Sequence, residues 1–136
     1  MAGFKPNTST IPVQESRHTA YIDESIQSKH VGHACSVVVG GTDLVVKLAE
    51  AGDVVFGQIS TVEIPKNPND RAVAMITVLG GYRLACAPNE SFKIGDTVVG
   101  GADGLVVPGG AASTDFRFFV AETDALADGA VGVLKL

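Results

Sequence analysis

The sequence contains few of the residues from which catalytic and metal sites are usually built. It has no tryptophan, two cysteines and three histidines in 136 residues, and only 18% of its residues are charged. Two cysteines are too few for a disulfide scaffold, and Cys35 and Cys86 each lie in an apolar stretch. We therefore expect two buried free thiols, with one disulfide between them as the alternative.

Positive charge is also scarce. Ten Lys and Arg residues face 15 Asp and Glu residues, for a net charge of −5, and residues 1–33 contribute none of that excess. Nucleic-acid binding needs a basic stripe to neutralise phosphates, so we expect no nucleic-acid partner. The longest apolar stretch, residues 72–82, is too short to span a bilayer, and we expect no signal peptide, because the first residues lack the apolar core of one. We expect a protein that is made in the cytoplasm and has no membrane partner.

The common catalytic motifs are missing. The sequence has no G-x-S-x-G elbow, no H-E-x-x-H pair and no phosphate-binding loop, so we expect neither an enzyme nor a cofactor. Residues of metal-ligand type cluster only at His30, His33 and Cys35. A structural zinc site needs four ligands. We predict no metal site, although the sequence leaves open whether the fold supplies a ligand that completes this set.

Glycine-rich turns between short β-branched runs dominate what is present. Residues 97–99 and 105–107 are such runs, and the intervening segment 100–104, Gly-Gly-Ala-Asp-Gly, favours a β-hairpin. Pro108 cannot donate a hydrogen bond to a neighbouring strand. Strand pairing should therefore end at Pro108, or Pro108 should lie on a sheet edge.

The same alternation of run and turn continues through the sequence from residue 34. It predicts a hairpin around Gly40-Gly41, a second hairpin that turns at Gly80-Gly81, an amphipathic strand at 116–122 and a last strand at 130–136. Roughly eight to ten short strands of this spacing indicate an all-β fold, either a small barrel or a sandwich.

One pattern occurs twice. Residues 52–57 and 95–100 share the frame G-D-x-V-x-G. Gly-Asp before valines is common wherever a turn leads into a strand, and an internal duplication would produce the same pattern. Both explanations remain open from the sequence.

Residues 1–33 differ from the rest. Their apolar side chains are sparse and unphased, and Pro6 and Pro12 interrupt regular structure. We predict an extended N-terminal arm over residues 1–33 and a β-rich body over 34–136. The arm suits ordering on another protein's surface, with a floppy terminus or an arm folded over its own core as alternatives. The body should fold without the arm, so deletion of residues 1–20 should preserve cooperative unfolding.

Residues 44–136, about two thirds of the chain, resemble the capsid decoration (cement) proteins of tailed bacteriophages. The resembling segments are the G-D-T-V-V-G run at 95–100, the following 101–107, and the terminal segment 119–136. The resemblance implies a non-enzymatic virion protein that binds the outer surface of a phage capsid and stabilises the head against internal genome pressure. It also implies that the partners are the major capsid protein and further copies of the chain, as a homotrimer in preference to a homodimer.

In that reading the arm supplies the contacts with the capsid or with a neighbouring subunit. The predicted contact residues are Phe4, Ile11, Val13, Arg17, Tyr21 and Ile22. The alternative function is a soluble β-barrel module that binds a ligand or a carbohydrate. Carbohydrate sites favour exposed Trp or Tyr, and this chain offers only Tyr21 and Tyr82.

Overall fold

The computed structural model describes residues 16–110 and 118–135, and these form an all-β fold of nine strands. The strands are β1 (Ser16–Ile22), β2 (Ala34–Val37), β3 (Val45–Leu48), β4 (Gly57–Glu63), β5 (Val73–Ala85), β6 (Thr97–Gly100), β7 (Val106–Gly110), β8 (Phe119–Glu122) and β9 (Ala130–Lys135). Three short 3₁₀ turns lie at Ser28–His30, Ala102–Gly104 and Leu126–Asp128. The predicted fold class and the predicted number of strands are confirmed.

The first half of the fold is a closed five-stranded barrel. Its strands run in the order β1-β3-β2-β4-β5, and β1 closes the ring by pairing with β5. All neighbours are antiparallel except β1 and β3, which are parallel and place Tyr21 opposite Val45. A closed ring leaves no unpaired strand edge. One hydrophobic cluster is formed by Ala20, Ile26, Cys35, Val46, Leu48, Ile59, Ala74 and Ile76.

The second half is a sheet in the order β5-β9-β8-β6-β7. One isolated parallel β-bridge pairs Val106 of the edge strand β7 with Cys86, the residue that follows β5. A second hydrophobic cluster packs here, and it includes Leu84, Phe92, Val98, Phe118, Val120 and Val131. Phe118 and Val120 both point inward, as the predicted alternation of the amphipathic strand requires.

Strand β5 joins the two halves of the fold. The hairpin predicted at Gly80-Gly81 is therefore wrong. The strand continues through both glycines: its first half pairs with β1 and β4, and the half from Gly80 to Ala85 pairs with β9. Gly80 has φ of 107°, so it bends the strand without reversing it. A glycine doublet allows either a bend or a turn, and the partners on each side decide between them.

The other two predicted hairpins are confirmed. Strands β2 and β3 pair around Gly40-Gly41, and β6 and β7 pair around the 3₁₀ turn at Ala102–Gly104. Pro108 lies opposite Val98 in β7, the edge strand of the second sheet. Of the two predictions for Pro108, the edge position is therefore the one observed.

The repeated G-D frame corresponds to a repeated turn. Gly52 and Gly95 have φ of 84° and 89°. In each copy the aspartate carboxylate accepts a hydrogen bond from the backbone N–H three residues earlier, at 2.9 Å for Asp53 and 3.2 Å for Asp96. The copies also meet, since Gly52 N–H donates to the carbonyl of Gly100 at 2.9 Å. Shared turn chemistry explains why the two segments look alike.

The predicted N-terminal arm over residues 1–33 is wrong for residues 16–33, which belong to the β-rich body. These residues include β1, which lies between β3 and β5, and they bury Ala20, Ile26 and His30. These residues look polar in the sequence because β1 exposes Arg17, His18 and Thr19 to solvent and fully buries only Ala20. Residues 1–15, the remainder of the predicted arm, lie outside the described residues.

No helix among residues 16–110 and 118–135 is long and apolar enough to cross a membrane.

Candidate contact surface

The six predicted contact residues divide into two groups. Phe4, Ile11 and Val13 lie outside the described residues, and the other three, Arg17, Tyr21 and Ile22, lie in β1. Strand pairing holds the second group against the barrel, so these residues do not belong to a separate arm.

Arg17 lies on the outside of the barrel. It is exposed, pairs in register with Thr77 of β5, and borders a shallow depression that also includes Val31, Gln58 and Ser60. Val31 is a half-exposed aliphatic side chain in a mostly polar rim. Arg17 therefore remains accessible to a partner, beside a small apolar spot.

Tyr21 is engaged within the chain. The guanidinium carbon of Arg71 lies 3.5 Å from the centroid of the Tyr21 ring, and Arg71 Nη1 lies 3.0 Å from Asp43 Oδ2. This stack joins β1 to the loop before β5 and to the β2–β3 hairpin. Ile22, the next residue, is half-buried and packs against the barrel cluster. The contacts of both side chains therefore stabilise the barrel.

The β2–β3 hairpin carries four of the exposed large apolar side chains of the described residues. Val37, Val38, Val39 and Leu44 are all exposed, and Val39 keeps 94% of its surface accessible. The turn itself uses Gly40 and Gly41, with φ of 105° and 107°, where a side chain would be strained. Sequence reasoning identified the hairpin but missed its exposure, although three valines in succession necessarily place one or more outside a strand that is covered on one face.

Strand register places this hairpin at one end of the barrel. Tyr21, at the end of β1, lies opposite both Val45 and Val73, and Glu63, at the end of β4, also lies opposite Val73. The loops at residues 38–44 and 64–72 therefore lie at the same end, which we call the barrel tip. Ile64, 58% exposed, adds a further aliphatic side chain there. The second sheet follows the opposite half of β5.

The candidate metal residues are committed to other partners. His30 is 3% exposed; its Nδ1 accepts the backbone N–H of Gln27 at 2.9 Å, and its Nε2 lies 3.1 Å from Asp103 Oδ1. His33 Nδ1 lies 2.7 Å from the carbonyl oxygen of Asp103. In the described part of the chain, no three His, Cys, Asp or Glu side chains are arranged to hold a metal ion.

Cys35 belongs to the barrel core. Its thiol donates to the carbonyl of Gly57 at 3.5 Å, and burial raises the pKa of the thiol to about 12. Burial also raises the pKa of Cys86, and both cysteines are free thiols, as predicted. A protonated, buried thiol is a poor nucleophile and a poor metal ligand.

No protein-family model matches the sequence, and no curated protein sequence matches it. The fold is similar to that of the N base of head fiber gp8.5 of bacteriophage phi29, known from a crystal structure, with a TM-score of 0.55. The likeness covers 90% of this chain and 95% of that chain at 16% sequence identity. At this identity the likeness establishes a shared fold, and function has to be argued separately.

Proposed function

We propose that this chain is a structural protein of a phage head, which binds the outer surface of the capsid and stabilises the shell against internal genome pressure. The observation that carries the proposal is the fold shared with a phage head fiber base over nearly the full length of both chains. The independent sequence resemblance to capsid decoration proteins leads to the same class of function. The proposed role requires no catalytic group and no cofactor.

The surface of the described residues suits a protein partner. The barrel tip exposes four aliphatic side chains, Val38, Val39, Leu44 and Ile64, next to the Asp43–Arg71 ion pair. Exposed aliphatic side chains beside a few charges are common in protein interfaces. The net charge of −5 disfavours contact with nucleic acid.

The N-terminal residues are proposed as a second contact. Ser16, the first residue of β1, lies opposite the exposed Leu79 of β5. We propose that Phe4, Ile11 and Val13, with the accessible Arg17, contact the major capsid protein or a neighbouring subunit. Tyr21 and Ile22 are left out of this set, because they stabilise the barrel.

We further propose that the protein acts as a homo-oligomer, a homotrimer in preference to a homodimer. The trimer comes from the family resemblance. The physical support is that small domains have limited core volume and that this one leaves several large aliphatic side chains exposed, which subunit contacts would bury.

The carbohydrate-binding alternative needs accessible aromatic rings. Tyr21 is covered by Arg71, and the hydroxyl of Tyr82 donates to the carbonyl oxygen of Thr77 at 2.9 Å while its ring packs against the second cluster. Neither ring of these two tyrosines is available as a flat sugar platform. The virion role is therefore the better supported of the two.

Titration of labelled protein onto undecorated phage heads tests the proposal. Heads with bound protein are separated by sedimentation, and the bound fraction is measured against total protein. A structural role predicts binding that saturates at a fixed number of copies per shell. Val39→Asp should weaken binding, whereas Thr42→Asp, the same charge change in the same loop, should have a smaller effect. Binding that never saturates, or that is absent, would reject the role.

A further inference from the structure

An open groove of about 330 Å³ lies between the barrel and the second sheet. The barrel side provides residues of β2, β3 and the segment before β4, and the end of β9 provides Lys135. The lining residues are Ser36, Val37, Lys47, Asp53, Val54, Val55, Phe56 and Lys135. The groove is thus formed only where the two halves of the fold meet.

Most polar groups in the groove already have partners. Lys47 Nζ lies 3.2 Å from Asp53 Oδ2 and 3.6 Å from Glu50 Oε2. Ser36 Oγ donates to the carbonyl oxygen of Val54 at 2.9 Å. The first cation of the groove is therefore neutralised within the chain.

The second cation, Lys135, has no counter-ion among the residues that the structure describes. Lys135 Nζ lies 5.1 Å from the centroid of the Phe118 ring, which is fully buried, and no carboxylate of residues 16–110 or 118–135 forms an ion pair with it. Partial burial lowers the pKa of Lys135, as expected for an ammonium group that loses contact with water. Because Lys47 pairs with Asp53 and Glu50, the charge that remains for an occupant of the groove is that of Lys135.

An apolar wall stands beside this ammonium group. Val37 and Val54 are 38% and 52% exposed, and Phe56 is half-buried. A group that completed the groove would place a carboxylate on Lys135 and an aliphatic side chain against these residues. Such an occupant pairs with the ammonium group of Lys135 and covers the apolar wall at the same time.

We propose that the occupant is a second copy of this chain, which inserts Glu63 and Ile64 into the groove; the proposal rests on the homo-oligomer proposed above. The copy is favoured because the chain has a surplus of carboxylates, and a carboxylate complements the ammonium group of Lys135. Three exposed aliphatic side chains among the described residues directly follow an acid: Leu44 after Asp43, Val54 after Asp53, and Ile64 after Glu63.

The first two of these acids are already engaged. Asp43 pairs with Arg71, and Asp53 pairs with Lys47. Glu63 is exposed and forms no ion pair with any other described residue. Glu63 with Ile64 is therefore the pair whose carboxylate and side chain are both available.

The contact would join different surfaces of the two copies. Glu63 and Ile64 lie at the barrel tip, whereas the groove lies between the two halves of the fold. A contact between unlike patches is heterologous, and heterologous contacts close into rings when the rotation between subunits permits it. A trimeric ring would use three copies of the same groove.

Sedimentation velocity over a range of protein concentrations tests the contact. The variants are Lys135→Glu, Glu63→Lys and the double charge reversal. Each single variant should raise the dissociation constant of the oligomer by about tenfold or more. The double variant should return it to within about threefold of the parent protein. Lys93→Glu and Glu90→Lys, which make the same charge changes at exposed positions outside both patches, should leave it unchanged.

The outcomes separate this inference from the proposed function. An oligomer that persists unchanged in both single variants would overturn the groove contact and leave the homo-oligomer standing. A parent protein that remains monomeric would overturn both the oligomer and the contact, while binding to heads would still be decided by titration. Lys135→Glu could weaken the oligomer by disturbing the fold. Glu63→Lys controls for this, because Glu63 is exposed and lies outside the groove.

Discussion

His30 Nε2 lies 3.1 Å from Asp103 Oδ1, a contact between residues 73 positions apart in the chain. His30 belongs to the 3₁₀ turn before β2, and Asp103 to the turn that connects β6 and β7, so the bond links the barrel side to the second sheet. Because Nδ1 accepts the backbone N–H of Gln27, Nε2 carries the proton and donates to the carboxylate. Asp103 has φ of 59°, a conformation that this bond helps to hold.

His30→Ala should lower the free energy of unfolding by about 2–3 kcal/mol, because it removes a buried ring and leaves the N–H of Gln27 without its acceptor. His18→Ala is the matched control: His18 is exposed and its ring bonds to Ser16 Oγ two residues away, so the expected loss is below about 0.5 kcal/mol. Urea denaturation of both variants measures the difference. Equal, small losses would show that the link between the two halves contributes little to stability.

Gly57 is required by a close approach of backbone. A Cβ at this position would lie 2.5 Å from the carbonyl oxygen of Thr77 and 2.7 Å from Ile76 Cγ2, both in the neighbouring strand β5. Gly57→Ala should therefore cost about 2 kcal/mol of stability through overpacking. A Cβ added at Gly81 would have Leu134 Cδ1 as its nearest neighbour, at 3.4 Å. Gly81→Ala should change stability by less than about 1 kcal/mol in either direction, and thermal melts of both variants decide the point.

The buried thiol of Cys35 should make stability depend on alkaline pH. The folded-state pKa is about 12, against an ordinary value of 9.0, so the unfolded state loses this proton first and unfolding becomes easier as pH rises above 9.0. Between about pH 8 and about pH 10 this group should account for about 1 kcal/mol of lost stability.

Cys35→Ala provides the comparison, because it removes this ionisation and keeps all the others. The variant should start from a lower stability, since it leaves a small cavity, but it should lose less stability over the same rise in pH. Chemical denaturation at each pH measures both slopes. Parallel slopes would mean that the Cys35 thiol ionises alike in the folded and unfolded states.

Two N-terminal deletions, one ending at residue 15 and one at residue 20, should differ in their effect on stability. Deletion of residues 1–15 leaves β1 complete and both hydrophobic clusters intact, so cooperative unfolding should persist. Deletion of residues 1–20 removes most of β1, including the buried Ala20, and opens the barrel between β3 and β5. Circular dichroism melts of the two proteins measure this. Equal melting temperatures would show that β1 is dispensable, as the predicted arm over residues 1–33 requires.

Local turn chemistry made part of the fold predictable. The hairpin that contains Gly40-Gly41, the hairpin between β6 and β7, and the edge position of Pro108 all follow from residues within a few positions of the turn. Strand β1 and the continuity of β5 depend on partners far away in sequence, since β1 pairs with residues 73–79 and β5 with residues 130–135. Single-sequence patterns carry no information about such partners.

The contact surface was less predictable than the fold. The sequence marks Val37, Val38 and Val39 as strand residues, but their exposure depends on which faces the barrel leaves uncovered. Lys47 and Lys135 look alike in sequence, but the structure places Lys47 on Asp53 and places Lys135 beside the ring of Phe118. The sequence predicts Tyr21 as an interface aromatic, whereas the structure stacks Arg71 on its ring.

Heat-induced genome release from phage heads shows directly whether the protein stabilises the shell. Heads that lack the protein are heated with and without it, at low and at high salt, and released DNA is measured against temperature. Contacts through the exposed aliphatic side chains of the barrel tip and the apolar N-terminal residues predict a higher release temperature that survives high salt, because salt screens exposed charge pairs and does not weaken apolar burial. Protection that disappears at high salt would indicate an electrostatic contact through residues such as Lys5, Arg17 and Lys29, and identical release curves with and without the protein would contradict the stabilising role.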